Sequence, residues 1–185
     1  MRKSSLWKLL GFMALVVGIV IAFAWVNRDR LRPVVPGRPA PNFSALDLNG
    51  SPKTLDDYED KVLLVNIWAT WCAPCQQEMP SLQRLYEAVD RDDFEIVAIS
   101  VDAPFGQTDA FGRPGGDLEA YADVMGLSFT ILNDPSGKVQ QDYQTTGVPE
   151  SFVIDRDGVI YKKVAGPTDW DAPQNVELIR RLLEE

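Results

Sequence analysis

Seven consecutive residues, Val62-Leu63-Leu64-Val65-Asn66-Ile67-Trp68, constrain this chain more tightly than any other stretch. An almost unbroken apolar run of that length reads as a buried strand, and a strand buried on both faces belongs in the middle of a sheet. It leads directly into Trp71-Cys72-Ala73-Pro74-Cys75. Beyond it, Leu82, Leu85, Tyr86 and Val89 recur at helical spacing and predict a helix from about Ala73 to Val89 with one apolar face. The cysteine pair therefore falls at a strand-to-helix junction, with Cys72 at the helix N-terminus.

The segments on either side fill out an α/β pattern. Phe43, Leu46 and Leu48 with the Asn49-Gly50 turn predict a short hairpin-like start, and Phe94 to Val101 is a second buried strand. A Gly- and Pro-rich stretch from Ala103 to Gly116 breaks the pattern and reads as a loop insertion. A helix around Leu118 to Met125 and a short strand from Phe129 to Leu132 follow. Ser151–Ile154 and Val159–Val164 flank the Asp155-Arg156-Asp157-Gly158 turn as a hairpin, and Val176 to Leu183 closes the chain as an amphipathic helix. This order predicts a central mixed β-sheet with helices on both faces.

At the other end, Leu9 to Val26 runs eighteen residues without a charge, enough for a helix to cross about 30 Å of hydrocarbon. It reads as one N-terminal transmembrane anchor. A cleaved signal peptide is the alternative, since Ala22-Phe23-Ala24 has the small-x-small form of a cleavage site. Residues 1–8 are then a cytoplasmic stub, and 27–39, rich in proline and arginine, an extended linker. Residues 40–185 form the folded domain, placed on the exported side because long domains cross largely regardless of their charge.

Two absences narrow the chemistry. The chain has no histidine, which removes the commonest general base and metal ligand, and its two cysteines are three positions apart. No metal is expected, since a structural zinc site needs about four ligands and nothing here completes one. From Pro39 onward 26 acidic residues outweigh 11 basic ones, a net charge of −15 that repels phosphate backbones and argues against nucleic-acid binding.

All thiol chemistry must then occur at Cys72 and Cys75. Unpaired backbone N–H groups and the positive dipole end at a helix N-terminus stabilise a thiolate, which would make Cys72 a nucleophile near neutral pH. Pro74 suits the first turn, where its missing N–H costs nothing. Cys75, inside the helix, is placed to attack a mixed disulfide formed at Cys72. A purely structural disulfide over so short a loop would contribute little entropy.

Trp68-Ala69-Thr70-Trp71-Cys72-Ala73-Pro74-Cys75, with Glu78-Met79-Pro80 and later Gly147-Val148-Pro149-Glu150, resembles the thioredoxin superfamily, and within it the membrane-anchored TlpA, ResA and CcmG (DsbE) branch. The resemblance covers about residues 40 to 185 and implies a thioredoxin-like fold. It implies that Pro149 is cis and faces the cysteine pair, and that the backbone beside it, with Val148, Glu150 and an exposed Trp71, meets a bound polypeptide. Thioredoxins proper carry an aspartate where this chain has Asn66, which cannot do acid–base work. The anchored branch has a glutamate where Glu78 stands, one turn beyond Cys75, so Glu78 is the candidate for proton transfer at that thiol and Glu150 a second one.

The same resemblance implies an extracytoplasmic protein-disulfide reductase at the cytoplasmic membrane. It needs no cofactor beyond the Cys72–Cys75 disulfide and receives electrons from a membrane thiol carrier of the CcdA or DsbD type. Its expected substrate is a protein disulfide, such as that of apocytochrome c in cytochrome c maturation, with a copper-site protein of respiratory oxidase as the alternative. A disulfide-donating oxidant and a metal-binding module remain further alternatives. A peroxidase reading fits poorly, because Ala69 stands three residues before Cys72 where peroxidatic sites have threonine.

Overall fold

The computed structural model describes residues 3–26 and 33–185. These form two compact units, one ending at Pro33 and the other spanning Val34–Glu185. The first contains the helix α1 (Lys3–Val26). Its Trp7–Val26 portion, of mean hydropathy 2.7, is long and apolar enough to cross a membrane.

The second unit is built around β3 (Val62–Trp68), every residue of which is buried. Before it come β1 (Ser44–Asp47) and β2 (Pro52–Thr54), an antiparallel hairpin turned at Asn49-Gly50, and a single 3₁₀ turn, Leu55–Tyr58. After it come α2 (Ala73–Ala88), β4 (Phe94–Ser100), α3 (Leu118–Met125) and β5 (Thr130–Asn133). The chain ends with the short α4 (Lys138–Asp142), the hairpin β6 (Glu150–Ile154) and β7 (Ile160–Ala165), and α5 (Pro173–Glu184). The seven strands form one mixed sheet in the order β2-β1-β5-β4-β3-β6-β7. Helices flank it, with α2 packed on β4 and α5 on β3.

Register decides where the ends of these strands meet. β3 runs parallel to β4 with Trp68 opposite Ser100, and antiparallel to β6 with Ile67 opposite Glu150. The C-terminal ends of β3 and β4 and the N-terminal end of β6 therefore share one edge of the sheet. The segments that leave or enter there carry Cys72, Asp102 and Val148-Pro149. Open α/β sheets place their binding sites at this kind of edge, outside the carboxyl ends of the parallel strands.

Two local expectations change. The folded unit begins at Val34, earlier than residue 40: Val34 is buried in the core, and residues 37–40 hydrogen-bond to the β7 hairpin through Gly37 N to Ile160 O (2.8 Å) and Ala40 N to Gly158 O (2.9 Å). The proline-rich composition reflects an extended segment laid along a strand edge, where missing N–H groups cost little. The linker residues 27–32 lie outside the described residues. The short α4 carries only one buried residue, Val139, too little periodicity to announce a helix.

Candidate functional site

Cys72 caps α2. Its backbone is extended, and its Sγ accepts a hydrogen bond from the amide of Cys75 at 3.2 Å, one of the N–H groups that a helix N-terminus leaves unpaired. Pro74 sits in the first turn, and the Gln76 side chain folds back to donate to the Thr70 carbonyl at 2.5 Å. Cys72 and Cys75 are joined as a disulfide. Cys72 keeps 6% of its surface exposed and Cys75 none, so the outward-facing sulfur is the one at the cap.

The Val148-Pro149 peptide bond is cis. The carbonyl oxygen of Val148 lies 3.6 Å from Cys72 Sγ, and the carbonyl of Pro149 accepts from Gly166 N at 2.9 Å, which fixes this loop to the segment after β7. Glu150 is buried; its carboxylate accepts from Thr146 N at 3.0 Å and pairs with Lys163 Nζ at 3.0 Å. Glu150 is thus committed to holding residues 146–150 in place.

Glu78 is not the solvated surface carboxylate that glutamates usually are: it retains 2% exposure, on the same side of α2 as Cys75 and one turn on. Its Oε1 accepts from the indole Nε1 of Trp170 (2.6 Å) and from Thr168 N (3.1 Å), and its Oε2 from Asn66 Nδ2 (3.3 Å). Asn66 also donates to Ser151 Oγ at 2.8 Å. Burial pushes the Glu78 carboxyl up to about 7 from its ordinary 4.5, against the pull of the hydrogen bonds from Trp170, Thr168 and Asn66. A carboxyl poised near neutrality exchanges protons in either direction.

Trp71 differs from expectation. It is half-buried, because the Arg113 guanidinium from the 103–116 loop stacks over its ring at 4.0 Å. Trp68 is fully buried and packs against Tyr121 at 5.1 Å between ring centroids. The structure therefore gathers Cys72, Cys75, Trp71, Val148 and Pro149 at one edge of the sheet, with Glu78 beneath. Sequence reasoning missed Trp170, Thr168 and Arg113, which reach the site from distant or irregular segments. Asn66 and Asp102 did leave a signal as polar residues within or directly after buried apolar strands.

The AhpC/TSA family model matches residues 36–163. The chain is 34% identical over 148 residues to the thiol-disulfide oxidoreductase ResA of Geobacillus thermodenitrificans, covering 80% of this chain and 79% of that protein. It belongs to the ResA-type branch of the AhpC/TSA family. The thioredoxin-like protein YneN of Bacillus subtilis is 35% identical over 124 residues, covering 67% of this chain and 68% of that one. Among solved structures, a thiol:disulfide interchange protein DsbE from Chlorobium tepidum superposes with a TM-score of 0.60 at 28% identity, over 80% of this chain and 95% of that one. The ResA-type assignment makes this protein a thiol–disulfide oxidoreductase with a thioredoxin-like fold. Its Thr70 hydroxyl, one residue nearer Cys72 than a peroxidatic threonine would be, is held by Asp102 Oδ1 at 2.6 Å.

Proposed function

We propose that the protein is held to the cytoplasmic membrane by α1, with the Val34–Glu185 unit on the extracytoplasmic side, and that it reduces disulfides in partner proteins, with apocytochrome c the first substrate class to test. One observation carries the reading: a Cys72–Cys75 disulfide capping α2, with Cys72 outermost and in contact with the Val148 carbonyl. That arrangement offers a single reactive sulfur beside a stretch of backbone against which an extended polypeptide can lie.

In the reduced protein, the Cys72 thiolate attacks one sulfur of a partner disulfide. An S–S bond forms between Cys72 and the partner, and the partner's other sulfur leaves as a thiolate. Cys75 then loses its proton, attacks Cys72 Sγ and closes the Cys72–Cys75 disulfide, releasing the partner's second thiolate. The partner gains two electrons, its two thiolates take up protons from the solvent, which receives those given up by Cys72 and Cys75, and the protein becomes oxidised. In this reading Glu78 takes the Cys75 proton, a role supported by its position one turn away, its burial and a carboxyl raised to about 7. No cofactor beyond the disulfide takes part, and a membrane thiol carrier of the CcdA or DsbD type restores the dithiol.

The test is the redox equilibrium of the chain against glutathione and dithiothreitol, followed by thiol alkylation, together with reduction of an oxidised Cys-x-x-Cys-His peptide of the kind that attaches c-type haem. A potential near that of thioredoxin, about −270 mV, with reduction of the peptide supports the proposal. A potential near the oxidant end, about −120 mV, would reverse the direction of electron flow and overturn it.

A further inference from the structure

The 103–116 segment, which the composition marked only as an insertion, is an ordered loop built onto the redox site. At its base the buried Asp102 carboxylate accepts from Thr70 N (2.8 Å), Thr70 Oγ1 (2.6 Å) and Gly116 N (3.3 Å), joining the loop to the residues just before Cys72. A Cβ on Gly115 would overlap the Ala103 carbonyl and one on Gly116 the Thr70 side chain, so the base of the loop leaves no space for larger residues at these two positions. At its tip Asp109 accepts from the amides of Phe111 (2.8 Å) and Arg113 (2.9 Å) and pairs with Arg113 Nε at 2.5 Å.

This frame sets three side chains in order away from the nucleophile. Trp71 adjoins Cys72, Arg113 stacks on Trp71, and the same guanidinium lies 5.1 Å from the centre of the Phe111 ring. Phe111 is 84% exposed, and Phe105 on the same loop is 71% exposed. They are the only exposed phenylalanines among the described residues of the folded unit. A single exposed apolar side chain needs no explanation, but two on a hydrogen-bonded loop that is continuous with a reactive cysteine do. Aromatic and arginine side chains are the usual anchors of protein interfaces, and Arg113 is already held by Asp109 and Trp71, so little of its conformational freedom is lost when a partner arrives.

We infer that Phe105, Phe111 and Arg113 form a docking ridge for the protein substrate, receiving an apolar side chain that lies a few residues from the disulfide attacked by Cys72. The occupant is the polypeptide whose disulfide Cys72 attacks, because the loop is joined through Asp102 to Thr70 and through Arg113 to Trp71, the residues directly before Cys72. The Val148 backbone aligns the polypeptide, and the ridge selects which sequences are reduced fastest. The inference rests on the proposed reductase activity and adds a specificity determinant to it.

The full chain and its Phe105→Ala/Phe111→Ala variant, both reduced, would be reacted with glutathione disulfide and with two oxidised Cys-x-x-Cys peptides. One peptide carries leucine and phenylalanine beside the cysteines, the other serine and glycine. The wild type is expected to favour the apolar peptide about tenfold or more. The variant should lose that preference while reducing glutathione disulfide at the wild-type rate. Equal peptide preference in wild type and variant, with glutathione disulfide reduced normally by both, overturns the ridge and leaves the reductase reading standing. Failure of the wild type to reduce any of the three disulfides overturns both.

Discussion

The indole of Trp170 donates to the carboxylate of Glu78 across 92 positions of sequence, at 2.6 Å and with both side chains buried. Thr168 N donates to the same oxygen, and Ser81 Oγ accepts from Trp170 N at 3.1 Å, so the segment before α5 is fastened to the helix that carries the cysteines. The titration of Glu78 therefore depends on a part of the chain far from the Cys72–Cys75 motif.

Glu78 makes stability depend on pH. Its carboxyl sits near 7 in the folded chain and near 4.5 when unfolded, so between those values the folded state holds a proton that the unfolded state has lost. Stability should fall by about 3 kcal/mol as pH rises from about 4.5 to about 7, then level off. Glu78→Gln removes that titration. Urea unfolding of the oxidised protein at pH 5 and pH 8 should show the difference shrink by about that amount, and an unchanged difference would contradict the assignment.

Trp170→Phe keeps an aromatic ring but removes a donor that favours the ionised carboxylate. The Glu78 carboxyl should then rise further above 7, by about one to two pH units for the loss of a hydrogen bond to a charged group. The pH profile for resolution of the Cys72 mixed disulfide should shift upward by the same amount. A profile that loses amplitude without moving would mean that Trp170 serves packing alone.

The two cysteines should fail differently when replaced. Cys75→Ser leaves an attacking sulfur without a resolving one, so partner disulfides should accumulate as covalent adducts visible by mass spectrometry. Cys72→Ser should form no adduct, because Cys75 has no exposed surface. Comparable adducts from both variants would refute the division of roles.

Lys163 faces the buried carboxylate of Glu150. Lys163→Met strands that charge and should cost on the order of 3 kcal/mol in urea unfolding. Adding Glu150→Gln should recover part of the loss, since a neutral amide tolerates the pocket better than an unpaired carboxylate. No recovery in the double variant would place the cost in lost packing of the lysine stem.

The parts of this architecture that local pattern controls were legible in the sequence. β3 and β4 announce themselves as apolar runs and α2 by apolar spacing, while α3 occupies the expected residues, Leu118–Met125. Elements with weak local signals were not visible: α4 has little apolar period, and the 103–116 loop is ordered by aspartate-centred hydrogen bonds that composition does not reveal. At the site, the cysteines stood out through their spacing and their place before a helix. The burial of Glu78 did not, because it comes from Trp170 and Thr168 folding over α2. The early start at Val34 was hidden by prolines and arginines that resemble a spacer.

The unequal exposure of Cys72 and Cys75 has a kinetic meaning. A stranger's thiolate has one address on this molecule, and once it is attached there the second sulfur waits on the protected side, reachable only by its neighbour. Every covalent encounter at Cys72 thus carries its own exit, because the sulfur that breaks the link is already part of the fold.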